Sequence, residues 1–372
     1  MIRVLSIFGT RPEAIKMAPV VKELNRHPDR ITNRICVTAQ HREMLDQVLD
    51  LFDLKPDYDL NLMHPNQTLS ELTARVLLGL EPLLAEVRPD WVLVQGDTTT
   101  VMAASFVAYY HQIKIGHIEA GLRTGSKYQP YPEEINRRVT DVLADAYFAP
   151  TETSRMNLLR EGVSAERIML TGNTVIDALH EIGSLPYDWQ GGALSEVPRD
   201  RRLILVTAHR RESFGGPFEE LCCALRRIAL TYPDTVHLVY PVHLNPNVQK
   251  PVREILSGLP NVSLMQPLQY LPFVQIMKAS TLILTDSGGI QEEAPSFGVP
   301  VLVMRDRTER PEGIVAGVAR LVGTAEETIV SEACGLLDDP AAHRAMVDSV
   351  NPYGDGHAAE YIVKAILHWK AG

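Results

Sequence analysis

The apolar run Leu282-Ile283-Leu284 leads into Thr285-Asp286-Ser287-Gly288-Gly289-Ile290-Gln291-Glu292-Glu293. A strand that ends in Ser-Gly-Gly and turns into a helix presents backbone N–H groups at the positive end of a helix dipole. Such a turn binds phosphate without a lysine. Ser287, Gly288 and Gly289 are therefore candidate phosphate ligands. Glu293, one turn into the helix, can accept hydrogen bonds from ribose hydroxyls. An anion cradle beside a carboxylate suggests a nucleotide that carries both phosphate and sugar. A Gly-rich turn with an exposed glutamate is the purely structural alternative.

Other reactive residues also follow apolar runs, where ligands of open α/β sheets bind. Phe8 is followed by Gly9-Thr10-Arg11-Pro12-Glu13-Ala14-Ile15-Lys16, in which Arg11 and Lys16 can face an anion. Gln95 precedes Gly96-Asp97, Ile118 precedes Glu119, and Pro132 opens a helix with Glu133 and Glu134. Thr207 precedes Ala208-His209-Arg210-Arg211, and His243 follows Pro241-Val242. Carboxylates gather in the first half of the chain, and cations with the Gly-rich turn in the second. This division suits a cleft that holds a nucleotide diphosphate on one side and offers a sugar to acids and bases on the other. Each residue also has a structural reading. Asp97 can cap a helix Thr98–Tyr110, Glu133 and Glu134 suit a helix N-terminus, and His209 can belong to a surface basic cluster. A hydrolase triad of Ser287 and His209 with a carboxylate is disfavoured, because nothing resembles a nucleophile elbow.

These residues need elements to position them. Strands are expected at Arg3–Phe8, Arg34–Ala39, Trp91–Gln95, Ile113–Ile118 and Ala146–Ala149. Further strands are expected at Leu203–Thr207, Val236–Tyr240, Val262–Met265, Thr281–Thr285, Pro300–Val303 and Ala319–Val322. Helical patterns intervene. Most of these runs are apolar without alternation, as parallel strands covered on both faces are. The fold class is therefore α/β, with two doubly wound Rossmann-like domains. The expected division is 1–184 for an N-terminal domain carrying the carboxylates, 185–200 for a linker rich in Pro and Gly, and 201–355 for a nucleotide-binding domain. A last helix, within 356–372, is expected to return to the first domain.

With 372 residues, 45% hydrophobic and 22% charged, the chain can bury two ordinary cores. A net charge of −10 argues against nucleic acid or an anionic membrane as partner. No run approaches the length of a membrane-spanning helix, and the N-terminal residues read as a strand. Cys36, Cys222, Cys223 and Cys334 show neither metal-ligand nor disulfide spacing, which suits reduced thiols in cytoplasm and no structural metal.

Together these segments resemble the non-hydrolysing UDP-N-acetylglucosamine 2-epimerases. The matching stretches run from Phe8–Lys16 through Thr38–Arg42, Gly96–Thr100, Glu119–Thr124, Pro132–Glu134, Thr171–Thr174 and His209–Glu212 to Thr285–Pro295 and Arg310–Glu312. They span nearly the whole chain in family order. The resemblance implies a GT-B-like pair of domains with the ligand cleft between them and a homodimer. It also implies interconversion of UDP-GlcNAc and UDP-ManNAc without cofactor or metal, in bacterial envelope polysaccharide synthesis. It assigns catalytic roles to Asp97, Glu119, Glu133 and His209. It assigns the UDP-sugar to Arg11, Lys16, Phe273, Ser287, Gly288, Gly289, Glu293 and Arg310. Gln40, His41, Arg75, Arg210 and His243 fall where it implies a second, activating UDP-GlcNAc. Two positions depart from the pattern: Gln95, where many members have histidine, and Glu43, where some have glutamine. Neither is expected to touch the catalytic positions. A GT-B glycosyltransferase, a hydrolysing epimerase and a non-catalytic sugar-nucleotide sensor are the competing readings, and product analysis separates them.

Overall fold

The computed structural model describes residues 1–38, 42–62, 64 and 67–369, without the side chains of residues 42 and 43. The chain forms two compact units, one of Met1–Ala178 with Tyr353–Gly372 and one of Leu179–Pro352. Residues 185–200 fall in the second unit, where Leu194 and Val197 are buried.

In the first unit the strands are β1 (Ile2–Phe8), β2 (Ile31–Val37), β3 (Tyr58–Asp59), β4 (Trp91–Gln95), β5 (Lys114–Ile118), β6 (Ala146–Ala149) and β7 (Ile168–Leu170). They form a parallel sheet in the order β3-β2-β1-β4-β5-β6-β7. The second unit contains β8 (Arg202–Thr207), β9 (Val236–Pro241), β10 (Val262–Met265), β11 (Ser280–Thr285), β12 (Val301–Val303) and β13 (Ala319–Leu321). These are parallel in the order β10-β9-β8-β11-β12-β13. Val92, Leu93 and Val94 are fully buried, as are Ile204, Leu205 and Val206, so consecutive apolar residues face helices on both sides of each sheet. Strand order reverses between β1 and β4 in one unit and between β8 and β11 in the other. Those reversals mark the switch points at which such sheets bind ligands.

Local signals set the helices that leave these points. Thr10 caps the helix Arg11–Asn25 in a capping box with Glu13. Thr98 caps the helix Thr99–Tyr110 by accepting from the Val101 N–H. This corrects one structural alternative: Thr98, not Asp97, is the cap, and the Asp97 side chain is left for other work. The helix Ala358–Leu367 packs against Arg11–Asn25 in the first unit, burying Ile362, Val363 and Ile366. Burial of such side chains stabilises by about 1.5–3 kcal/mol each. Asp177 accepts from the N–H groups of Ala358 and Ala359 at that helix's start. Among the described residues no helix is long and apolar enough to cross a membrane. All four cysteines are unpaired thiols, and burial pushes Cys36 and Cys222 up to about 12.

Candidate active site

At the first switch point, β1 ends in the Gly9-Thr10 turn. Glu13 is buried and receives the Gly9 N–H at 2.9 Å, the Thr10 N–H at 2.7 Å and the Thr98 hydroxyl at 2.6 Å. One carboxylate thus joins the turn after β1 to the turn after β4. Burial raises the Glu13 pKa, and these hydrogen bonds partly offset the rise. Glycine is needed at position 9 because an added Cβ would lie 2.1 Å from the Thr38 hydroxyl.

Asp97 follows β4 and forms an ion pair with Arg137. Glu119 follows β5 with φ +67°, a left-handed conformation that costs a non-glycine residue on the order of 1–3 kcal/mol. Its side chain is buried, in an ion pair with Lys16 at 2.5 Å and a hydrogen bond from the Gln95 amide. Gln95 therefore does touch a position to which the resemblance assigns catalysis, contrary to the expectation from sequence. The reason is simple: Gln95 and Glu119 close adjacent parallel strands, paired Gln95 to Ile118.

The helix Glu133–Leu143 supplies the third carboxylate and a polar inner face. Glu134, Arg137 and Asp141 stand at i, i+3 and i+7, and Asn136 and Thr140 lie beside them, all buried. Asn136 donates to the Asp97 carbonyl at 3.0 Å, and Glu134 accepts from the Thr124 N–H at 3.1 Å. Asp141 lies 2.6 Å from Nδ1 of His117 and accepts from Arg123 at 2.7 Å. Burial alone would raise the Asp141 pKa, but His117 and Arg123 outweigh it and hold the carboxyl below its usual range. Oε2 of Glu133 is buried without a hydrogen-bond partner among the described residues.

At the second switch point, Asp286 follows β11 with its side chain buried. It accepts the N–H groups of His209 and Arg210 at 2.6 and 2.7 Å, which fixes the turn after β8. Ser287 begins the helix Gly288–Glu293 and makes no side-chain cap hydrogen bond. Among the described residues, an added Cβ at Gly288 would meet the Arg210 guanidinium at 3.9 Å, and one at Gly289 would meet Glu293 at 3.2 Å. His209 stacks on His243 with centroids 5.2 Å apart and planes 9° apart. Desolvation lowers the His209 pKa; Asp286 opposes this, and His243 and Arg210 add to it.

The first unit thus carries Arg11, Lys16, Asp97, Glu119 and Glu133, with Lys16 paired to Glu119 and Arg11 exposed at the helix start. The second unit brings together His209, Arg210, His243, Ser287, Gly288, Gly289 and Glu293. Arg310 begins the helix Pro311–Val315, its guanidinium paired with Glu292, and Phe273 is half-buried in the helix Tyr270–Ala279. Arg75 is exposed on the helix Leu69–Val87. Gln40 and His41, and the side chain of Glu43, lie outside the described residues. Reading the sequence did not single out Arg137, Asp141, Asp286 or Glu13. The available signal was buried polar character at helical spacing, as in Glu134, Arg137 and Asp141.

Paired doubly wound sheets, one switch point acidic and the other basic and Gly-rich, define a two-unit Rossmann-like protein of the GT-B type. The comparisons with known proteins narrow this class. A family model described as UDP-N-acetylglucosamine 2-epimerase matches residues 22–367. The UDP-N-acetylglucosamine 2-epimerase of Escherichia coli (strain K12) is 57% identical over 370 residues, covering 98% of this chain and 98% of the relative. The Neisseria meningitidis UDP-GlcNAc 2-epimerase, solved bound to UDP-GlcNAc, is 50% identical, with TM-score 0.88 over 98% of this chain and 100% of that one. The Methanocaldococcus jannaschii enzyme, in complex with UDP-GlcNAc and UDP, is 33% identical, with TM-score 0.78 over 98% and 99%. The chain belongs to the UDP-N-acetylglucosamine 2-epimerase family and is an isomerase.

Proposed function

We propose that the protein interconverts UDP-GlcNAc and UDP-ManNAc by elimination and re-addition of UDP. A base removes the proton on sugar carbon 2, and the C–H electron pair becomes the C1=C2 double bond. The bond from C1 to the UDP oxygen breaks, releasing UDP and a neutral 2-acetamidoglucal. UDP then adds back to C1 while an acid protonates C2 on the opposite face, inverting that carbon. Asp97, Glu119 and Glu133 carry the proton transfers, and Lys16 balances charge beside Glu119. Arg11, His209, Ser287, Gly288, Gly289 and Arg310 hold the diphosphate, Glu293 takes the ribose, and Phe273 lines the site. No metal or cofactor enters the scheme.

The observation that supports this reading most is the grouping of the three carboxylates. They stand after β4 and β5 and at the start of the helix whose Asn136 and Arg137 hold Asp97, while Lys16 and Gln95 hold Glu119. A second UDP-GlcNAc, held through Gln40, His41, Arg75, Arg210 and His243, acts as activator. The working form is a cytoplasmic homodimer that supplies ManNAc for envelope polysaccharide.

A proton NMR time course with UDP-GlcNAc in heavy water tests the chemistry. UDP-ManNAc with deuterium at carbon 2 is expected; substrate left unchanged, or merely cleaved, would overturn it. Asp97→Asn, Glu119→Gln and Glu133→Gln are each expected to lower kcat by at least ~10²-fold with UDP affinity retained. Near-normal turnover in all three would remove the carboxylates from the mechanism.

A further inference from the structure

His117 lies within β5, its side chain fully buried, two residues before Glu119. Its Nε2 is 2.7 Å from the Gly96 carbonyl, next to Asp97. A carbonyl only accepts, so Nε2 carries a hydrogen. Nδ1 is 2.6 Å from Oδ1 of Asp141, and a shared proton joins the two. Oδ2 of Asp141 accepts from the Gly121 N–H at 3.3 Å, just past Glu119, and from Arg123 at 2.7 Å. The buried pair therefore touches both turns that bear carboxylates. Asp141 also lies on the helix that starts with Glu133, and from that helix Asn136 and Arg137 reach Asp97.

We propose that His117 and Asp141 are positioning residues for the epimerisation. Through them, and through Asn136, the helix Glu133–Leu143 acts as the common template that fixes where Asp97, Glu119 and Glu133 stand relative to one another. The pair itself exchanges no proton with substrate. This rests on the proposed proton-transfer roles of the three carboxylates.

Proton transfer at carbon needs this precision, because a misplacement of about 1 Å can cost on the order of 10²-fold in rate. The left-handed backbone at Glu119 shows how much hold is required. Such a conformation persists only where its surroundings over-determine it. Lys16 and Gln95 grip the Glu119 side chain, whereas the His117–Asp141 pair grips the backbone on both sides of it.

His117→Gln and Asp141→Asn test the proposal in the full-length enzyme, with kcat, KM, UDP affinity and melting temperature measured for each. Both are expected to lower kcat about 10–100-fold while KM and UDP affinity stay within about two-fold. The double variant should lose little more than the worse single, because the two residues act as one unit. Fold losses that multiply in the double variant, or a kcat within two-fold of wild type in folded singles, would overturn the proposal. So would KM rising in step with falling kcat, the mark of general loosening. If neither buried variant folds, Asn136→Ala decides: it gives up one hydrogen bond to Asp97 and is expected to lower kcat several-fold at unchanged KM. An unchanged kcat there counts against the template. Glu119→Gln and Asp97→Asn separate the two ideas. If they retain turnover, the carboxylate mechanism itself fails. If they lose turnover while His117→Gln, Asp141→Asn and Asn136→Ala keep it, only the template fails.

Discussion

In the proposed scheme, Glu119 depends on side chains that exchange no proton with substrate. Its carboxylate is held by Lys16 and by the Gln95 amide. Gln95→Leu keeps the volume and removes the donor, and an unmade buried hydrogen bond costs about 1–3 kcal/mol, more for a charged group. Turnover in that variant is expected to fall about 10-fold, and steady-state kinetics beside a thermal melt separate misplacement from unfolding. The proposed scheme makes His209 a source of pH dependence. Its folded-state pKa is depressed, first by desolvation, so the neutral imidazole is favoured and its contribution to stability is present above the ordinary value of 6.5. That contribution is lost as the pH falls through the depressed value. A diphosphate beside His209 reverses the preference, so UDP binding should take up a proton and tighten as the pH falls from 8 toward about 6. Calorimetry in buffers of different ionisation enthalpy reads this proton. His209→Asn should abolish the part of the uptake that UDP's own phosphate does not supply, and undiminished uptake would exclude His209.

Among the elements, those read well from sequence are the ones with physical repetition. Non-alternating apolar runs gave parallel strands within a residue or three of their observed limits, because burial on both faces leaves no other pattern. The short edge strands β3 and β7, of two and three residues, went unseen. Carboxylates at strand ends stood out as candidates, but their supporting shell did not. Arg137 meets Asp97 from 40 residues away and Asp286 meets His209 from 77, and no local signal marks such pairs. The glycine after Glu119 gives an element-scale test. Gly121 has φ +85°, and an added Cβ would lie 2.3 Å from the Ser154 carbonyl oxygen. Gly121→Ala is expected to destabilise by more than ~1 kcal/mol, because alanine is strained where φ is positive, and to lower kcat as the Glu119 turn shifts. A melting temperature and kcat equal to wild type would show that the turn is not constrained.

At the scale of the whole molecule, the proposed scheme puts the acid–base carboxylates in the first unit and most of the UDP-binding residues in the second, with Arg11 of the first joining them. Saturating UDP should slow amide hydrogen exchange at Thr207–Ser213 and Thr285–Glu293, and at 100 times Kd it should stabilise the fold by about 2.7 kcal/mol. Protection confined to the first unit would contradict the proposed division of labour. The units are not consecutive in the chain: the second is inserted into the first, whose helix Ala358–Leu367 and Trp369 come last. Trp369 meets Trp91 edge-on at 5.1 Å, and the helix covers Arg11–Asn25. During synthesis at roughly 5–20 residues per second, the first unit waits on the order of 10–40 s for that cover after Ala178 has been added. Limited proteolysis of ribosome-stalled chains would reveal this interval as cleavage in the first unit after the second has become resistant. The unit that is translated first would then be the last to mature, and a chain cut between Pro352 and Ala358 would carry a whole second unit joined to an incomplete first one.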